Sequence, residues 1–148
     1  SASERTKPVK TLGRHVIGEF FGCGAAALDD APQLEAWMHE AATAIGATVV
    51  ASAFHRYEPQ GVSGTLLIAE SHLSVHTWPE YGYVAVDIFT CGGLDPRKGF
   101  AWLERVLGAS DARMQEIVRG IPEHVAEATP LLPSDVTVLG HGVRWERS

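Results

Sequence analysis

Cysteine is scarce in this chain, with two residues, Cys23 and Cys91, among 148. A disulfide-stapled scaffold is therefore excluded, and a reducing, cytoplasmic location is expected. No apolar run is long enough for a membrane-spanning helix, so no membrane partner is expected. Positive charge is in deficit: 12 Lys and Arg stand against 18 Asp and Glu, a net charge of −6. Nucleic-acid binding calls for a basic footprint, and no nucleic-acid partner is expected. The stretch from Ser1 to Pro8 lacks the apolar segment of a secretory signal. Internal repeats and low-complexity tracts are also missing.

What is present is the composition of a globular domain: 45% apolar and 20% charged residues. A chain of this length makes one domain, residues 1–148, and buries roughly 70% of its unfolded surface. Thr11 to Phe21 reads as a strand broken at Gly22 to Gly24. A helix follows, capped by Asp29 or Asp30, with Pro32 in its first turn and Gly46 at its end. Leu34, Trp37, Met38, Ala41 and Ile45 fall on one face of it. Ala47 to His55 is β-branched enough for a strand, and Glu58 to Gly64 carries turn chemistry. Thr65 to Glu70 is a buried strand, and Leu73 to Trp78 alternates with a period of two. Pro79 to Gly82 turns the chain into a strand from Tyr83 to Thr90. Asp95-Pro96 opens a second helix, with Phe100, Leu103 and Leu107 inward and Gly108 at its end. Met114 to Val118 and Val136 to Leu139 are candidate strands; Ile121-Pro122 and Thr129 to Pro133 read as loop.

Short turns between consecutive strands make the sheet mostly antiparallel. The expected fold is α+β: a two-layer sandwich with two main helices on one sheet face. The other face then needs a cover, and a second copy of the chain, dimerising through the sheet, provides one.

The densest cluster of reactive residues is Glu70-Ser71-His72-Leu73-Ser74-Val75-His76-Thr77-Trp78-Pro79-Glu80. Four chemistries compete there. His72 and His76 at i, i+4 would suit a metal on a helix, but on a strand they lie about 13 Å apart, so no metal site is expected. A Ser/His hydrolase lacks its Gly-x-Ser-x-Gly elbow around Ser71. A Cys/His hydrolase would use Cys91, at a strand end before Gly92-Gly93, although a lone cysteine is more often packing. The fourth is self-processing at Glu70-Ser71: the serine hydroxyl attacks the preceding carbonyl, an ester forms, and loss of the Cα proton expels the Glu70 carboxylate. The dehydroalanine left behind hydrolyses to a pyruvoyl group and ammonia. Such chemistry needs a strained serine after a buried strand, a base, and oxyanion donors.

A larger pattern separates these. Phe54-His55-Arg56-Tyr57, Pro59-Gln60-Gly61-Val62-Ser63-Gly64, Glu70 through Tyr83 and Asp87-Ile88-Phe89-Thr90-Cys91-Gly92, together with Thr11-Leu12-Gly13-Arg14-His15, closely resemble the S-adenosylmethionine decarboxylase proenzymes of short prokaryotic type. The resemblance runs over roughly residues 10–108. It implies cleavage between Glu70 and Ser71 into residues 1–70 and 71–148, with Ser71 becoming the pyruvoyl prosthetic group. It implies that His76 removes the serine Cα proton, that Ser63 assists processing, and that Cys91 returns a proton to the substrate carbon. Glu80 would bind the ribose hydroxyls and Tyr57 stack on adenine, in a site built by both subunits of a homodimer of processed units. The implied reaction is decarboxylation of S-adenosylmethionine for polyamine synthesis. A pyruvoyl carbonyl condensed with the substrate amine is an electron sink of the kind pyridoxal provides.

Other roles suit the same residues. Tyr57 also fits an interface aromatic, Glu80 a cap on the Pro79–Gly82 turn, and Arg56 a carboxylate ligand. Arg97, after Asp95-Pro96, stands where relatives often carry tryptophan, and Tyr57 adds a hydroxyl. These departures leave open a related decarboxylase of a free amino acid, arginine or ornithine, and an unprocessed ligand-binding paralogue.

Overall fold

A computed structural model describes residues 11–127 and two short strands near the C-terminus. The chain runs β1 (Gly13–Phe21), α1 (Ala25–Leu28), α2 (Ala31–Ile45), β2 (Thr48–Arg56), β3 (Val62–Ala69), β4 (Ser71–Trp78), a 3-10 turn (Pro79–Tyr81), β5 (Tyr83–Cys91), α3 (Pro96–Leu107), β6 (Asp111–Arg119) and α4 (Pro122–Glu127). Strands β7 (Val138–Leu139) and β8 (Gly142–Val143) pair separately. The main sheet has six strands in the order β2-β3-β4-β5-β1-β6, and every pairing in it is antiparallel. The α+β class, the antiparallel sheet and the two main helices on one face are as the sequence led one to expect.

Both main helices start and stop where capping chemistry dictates. The Asp30 side chain accepts from the Gln33 N–H at 3.0 Å to open α2, and Asp95 accepts from Arg97 N–H to open α3. Left-handed Gly46 and Gly108 end them. Leu34, Met38, Ala41 and Ile45 from α2 and Phe100, Leu103 and Leu107 from α3 are buried against Val16, Phe20, Leu66, Leu73, Val75, Val84 and Ile88 of the sheet. Each such large side chain contributes about 1.5–3 kcal/mol. Gly18 is needed where α3 seats: the Phe100 ring fills the space a Cβ would take and stacks on Phe20 at 4.6 Å. Trp37 and Trp102 pack at the edge of this core, as their helix spacing suggests.

Three local expectations change. Val62 to Gly64 belong to β3, not to the preceding turn, because they gain ladder partners on both sides: Phe54 to Arg56 in β2 and, for Ser63 and Gly64, His76 and Val75 in β4. Pro122 opens a helix where loop was expected, its fixed φ suiting the first helical position. A short helix, α1, follows the glycine break at Gly22–Gly24. Thr129 to Pro133 and residues 136–137 lie outside the described residues. Among the described residues no helix is long and apolar enough to cross a membrane.

Candidate active site

The helices cover one face of the sheet, and the other face is open. Register fixes what that open face displays, in rows running across the strands. One row is Ile117, His15, Phe89, His72, Leu67 and Ala51. The next is Gln115, Ile17, Asp87, Ser74, Thr65 and Ala53. A third is Arg113, Glu19, Ala85, His76, Ser63 and His55. Beyond the first row lie Cys91 and Arg119, both opposite Gly13; beyond the third lie Trp78 and Tyr83, their rings 5.3 Å apart. Apolar residues on this face remain exposed, among them Leu67 at 52% and Ile17 at 43%.

The Cys91 end carries the strained residue. Ser71 begins β4 opposite Thr90 and Ile68, half-buried, with a φ of 114°. Among the described residues it is the one non-glycine with a positive φ. For an L-residue such a backbone costs of order 1–3 kcal/mol and persists only where the surroundings impose it. Glu70, just before it, is exposed. Cys91 is half-buried and lines a cavity of about 910 Å³ with Leu12, Phe89, Arg119, Ile121 and His124. The Arg119 guanidinium lies 4.5 Å from the Phe89 ring centre. The His15 ring lies 5.2 Å from that of Phe89 and 6.0 Å from that of His72, and burial holds it below the ordinary histidine value of 6.5. Asp87, 3.5 Å from its Nε2, pulls the other way; Arg119 and His72 add to the depression.

The opposite end holds a second cavity, of about 270 Å³, lined by Tyr57, Gln60, Ser63, His76, Trp78 and Glu80 among others. Four residues singled out from the sequence, Tyr57, Ser63, His76 and Glu80, thus meet in one place. Ser63 Oγ and His76 Nδ1 are 2.8 Å apart, as their cross-strand pairing requires. Glu80 accepts from Gln60 Nε2 at 2.6 Å, and no side chain caps the 3-10 turn, so Glu80 is not the turn's cap. Arg56 is spent within the protein. It bonds Asp29 Oδ2 at 2.8 Å, Glu58 Oε1 at 2.9 Å and the Pro59 carbonyl, and is not a free carboxylate ligand.

Within one chain the two groups stay apart. Ser71 and His76 share strand β4 five residues from one another, about 16 Å at strand rise. Cys91 lies a further cross-strand row away from His76. Arg97 lines neither cavity: it donates to Glu116 Oε2, whose Oε1 accepts from Arg14 Nε at 2.6 Å. Cys23 is buried, which pushes its thiol up, and it takes no part in either group. Sequence reasoning did not single out Gln60, Trp78, Arg119 or the burial of His15. The signal for His15 was the register that sets it against Phe89 and, through it, His72.

The fold and the exposed serine-histidine face define a class that sequence comparison makes specific. The S-adenosylmethionine decarboxylase family model matches residues 14–120. An S-adenosylmethionine decarboxylase proenzyme of Thermosipho melanesiensis is 51% identical over 113 residues, covering 76% of this chain and 87% of the relative. That of Caldanaerobacter subterraneus subsp. tengcongensis is 47% identical over 116 residues, covering 78% and 94%. The crystal structure of the adenosylmethionine decarboxylase from Aquifex aeolicus superposes with a TM-score of 0.72 at 30% identity, covering 82% of this chain and 99% of that one. The chain belongs to the S-adenosylmethionine decarboxylase family.

Proposed function

We propose that this protein is a self-processing, pyruvoyl-dependent decarboxylase of S-adenosylmethionine, cut between Glu70 and Ser71 and active as a dimer in the cytoplasm. The observation that carries it is the φ of 114° at Ser71, at the family's scissile position. Backbone strain released on breaking the Glu70–Ser71 amide favours the ester over the peptide. Ser71 Oγ attacks the Glu70 carbonyl carbon, and the α-amine of Ser71 leaves as the amide bond breaks. A base then takes the Ser71 Cα proton and the Glu70 carboxylate departs. His76 suits that step: with Nδ1–H donating to Ser63 Oγ, Nε2 keeps its lone pair for the proton.

The separation of the two groups supports a face-to-face dimer. Two open faces stacked about a two-fold axis running along the Ile17–Asp87–Ser74 row exchange the ends of the sheet. His76, Tyr57 and Glu80 of one subunit then come over Ser71 and Cys91 of the other, and the exposed apolar rows are covered. The pyruvoyl carbonyl supplies the electron sink for loss of carbon dioxide. Ser71, half-buried at the start of β4 and paired with Thr90, the residue before Cys91, fits that group. Cys91 returns a proton to the substrate carbon. Tyr57 offers a ring face to adenine and Glu80 an acceptor pair to ribose hydroxyls. Relatives' substrates favour S-adenosylmethionine over arginine or ornithine, and Arg97, lying outside both cavities, is no argument for another substrate.

Purified protein should resolve into chains of 70 and 78 residues, the second with a blocked N-terminus. Ser71→Ala should stay whole. Carbon dioxide should be released from S-adenosylmethionine and not from arginine or ornithine. An uncut chain after long incubation, cutting in Ser71→Ala, or release from a free amino acid alone would each overturn the proposal.

A further inference from the structure

We infer that Gln60 is the positioning residue that sets Glu80 to receive the two hydroxyls of a nucleoside, and so determines selectivity for a ribose; this rests on the function proposed above. Gln60 and Glu80 belong to different connections, 20 residues apart, yet Gln60 Nε2 donates to Glu80 Oε2 at 2.6 Å in the cavity that Tyr57 also lines. A carboxylate only accepts hydrogen bonds, and Glu80 otherwise stands exposed on a short turn, free to rotate. The amide N–H takes one oxygen from one side. It restrains the carboxylate and leaves Oε1 and the remaining lone pairs unused, so that adjacent hydroxyls in the cavity Glu80 lines can donate as a pair.

The loop that carries Gln60 is itself clamped, so this contact is built into the fold. Tyr57 N–H donates to the Gly61 carbonyl at 2.8 Å. Gly61 N–H donates to Asp29 Oδ1 at 2.8 Å, while Arg56 binds both Asp29 Oδ2 and the Pro59 carbonyl. Both ends of the 57–61 segment and its middle are thus tied to the α1–α2 junction. On the other side, Pro79 and Gly82 fix the turn that carries Glu80, Gly82 N–H donating to the Pro79 carbonyl and Cys23 N–H to the Gly82 carbonyl. Neither side chain has far to search for the other.

The test is binding of 5′-methylthioadenosine and its 2′-deoxy analogue to the processed protein by calorimetry, alongside carbon dioxide release from S-adenosylmethionine. Gln60→Met keeps the volume and removes the donor. It should weaken 5′-methylthioadenosine about tenfold, the 2′-deoxy analogue much less, and raise KM far more than it lowers kcat. Gln60→Glu, which sets like charge against Glu80, should weaken the nucleoside further. In a Glu80→Ala background, Gln60→Met should have no additional effect, because Gln60 acts through that carboxylate. Unchanged affinity in Gln60→Met, or an equal loss with and without Glu80, overturns the inference while decarboxylation by the parent protein leaves the function standing. A parent protein that neither binds 5′-methylthioadenosine nor decarboxylates S-adenosylmethionine overturns both.

Discussion

His15 shows how one half-buried ring couples the open face to pH. Burial is the larger influence and disfavours its charged form, against the pull of Asp87. The folded value therefore lies below the 6.5 of the unfolded chain. Between the two values the unfolded chain binds more protons, so this contribution is complete above 6.5 and is lost as pH falls from there toward the folded value. Denaturant midpoints measured at about pH 7.5 and about pH 5.5 should drop more for the parent protein than for His15→Gln, in which the titrating ring is gone. An equal drop in both would show that His15 is not the group concerned. Asp29 and Glu116 behave as ordinary paired carboxylates: hydrogen bonds from Arg56 and from Arg14 hold each low, so their stabilisation is present at neutral pH and fades only in acid.

At the scale of elements, the seating of α3 on the sheet decides how accurately the open face is presented. Phe100 reaches the backbone of β1 over Gly18, and the stack with Phe20 beside it leaves the ring little room to withdraw. Gly18→Ala should cost about 1–3 kcal/mol, read as a lower denaturant midpoint with an unchanged slope. An undiminished midpoint would mean that α3 adjusts without strain. The same strand carries His15 and Ile17 on its other face, so a shift of β1 is felt in the rows opposite. The loop at 57–61 is the second such element: with Asp29→Asn the pairing that Arg56 and Gly61 make with one carboxylate is weakened, and Tyr57 and Gln60 lose a fixed base.

For the whole molecule, the proposal places each site between two chains. Cys91→Ala and Glu80→Ala should each be almost inactive alone. Unfolded together and refolded, they should regain about one quarter of parent activity, since about half of the dimers are mixed and one of the two sites in each is intact. No recovery, with mixed dimers shown to form, would place both residues in a site within one chain. The gap of about 16 Å between Ser71 and His76 along one strand makes the first outcome the expected one.

The sequence by itself determined the order of the six main strands and two main helices, the caps at Gly46, Asp95 and Gly108, and the inward faces of both helices, because these are set by local backbone preference and by hydrophobic period. Resemblance to the family named Ser63, Ser71, His76, Glu80 and Cys91, since a long motif is recognised without a fold. Other features depended on partners distant in sequence. The ladders on both sides drew Val62 to Gly64 out of their turn and into β3. The register of six strands set the half-buried His15 against Phe89, and the clamp at Asp29 brought Gln60 to Glu80. Only the tertiary structure could separate the named residues into two groups at opposite ends of one sheet, because strand direction and register fix distance where spacing along the chain does not.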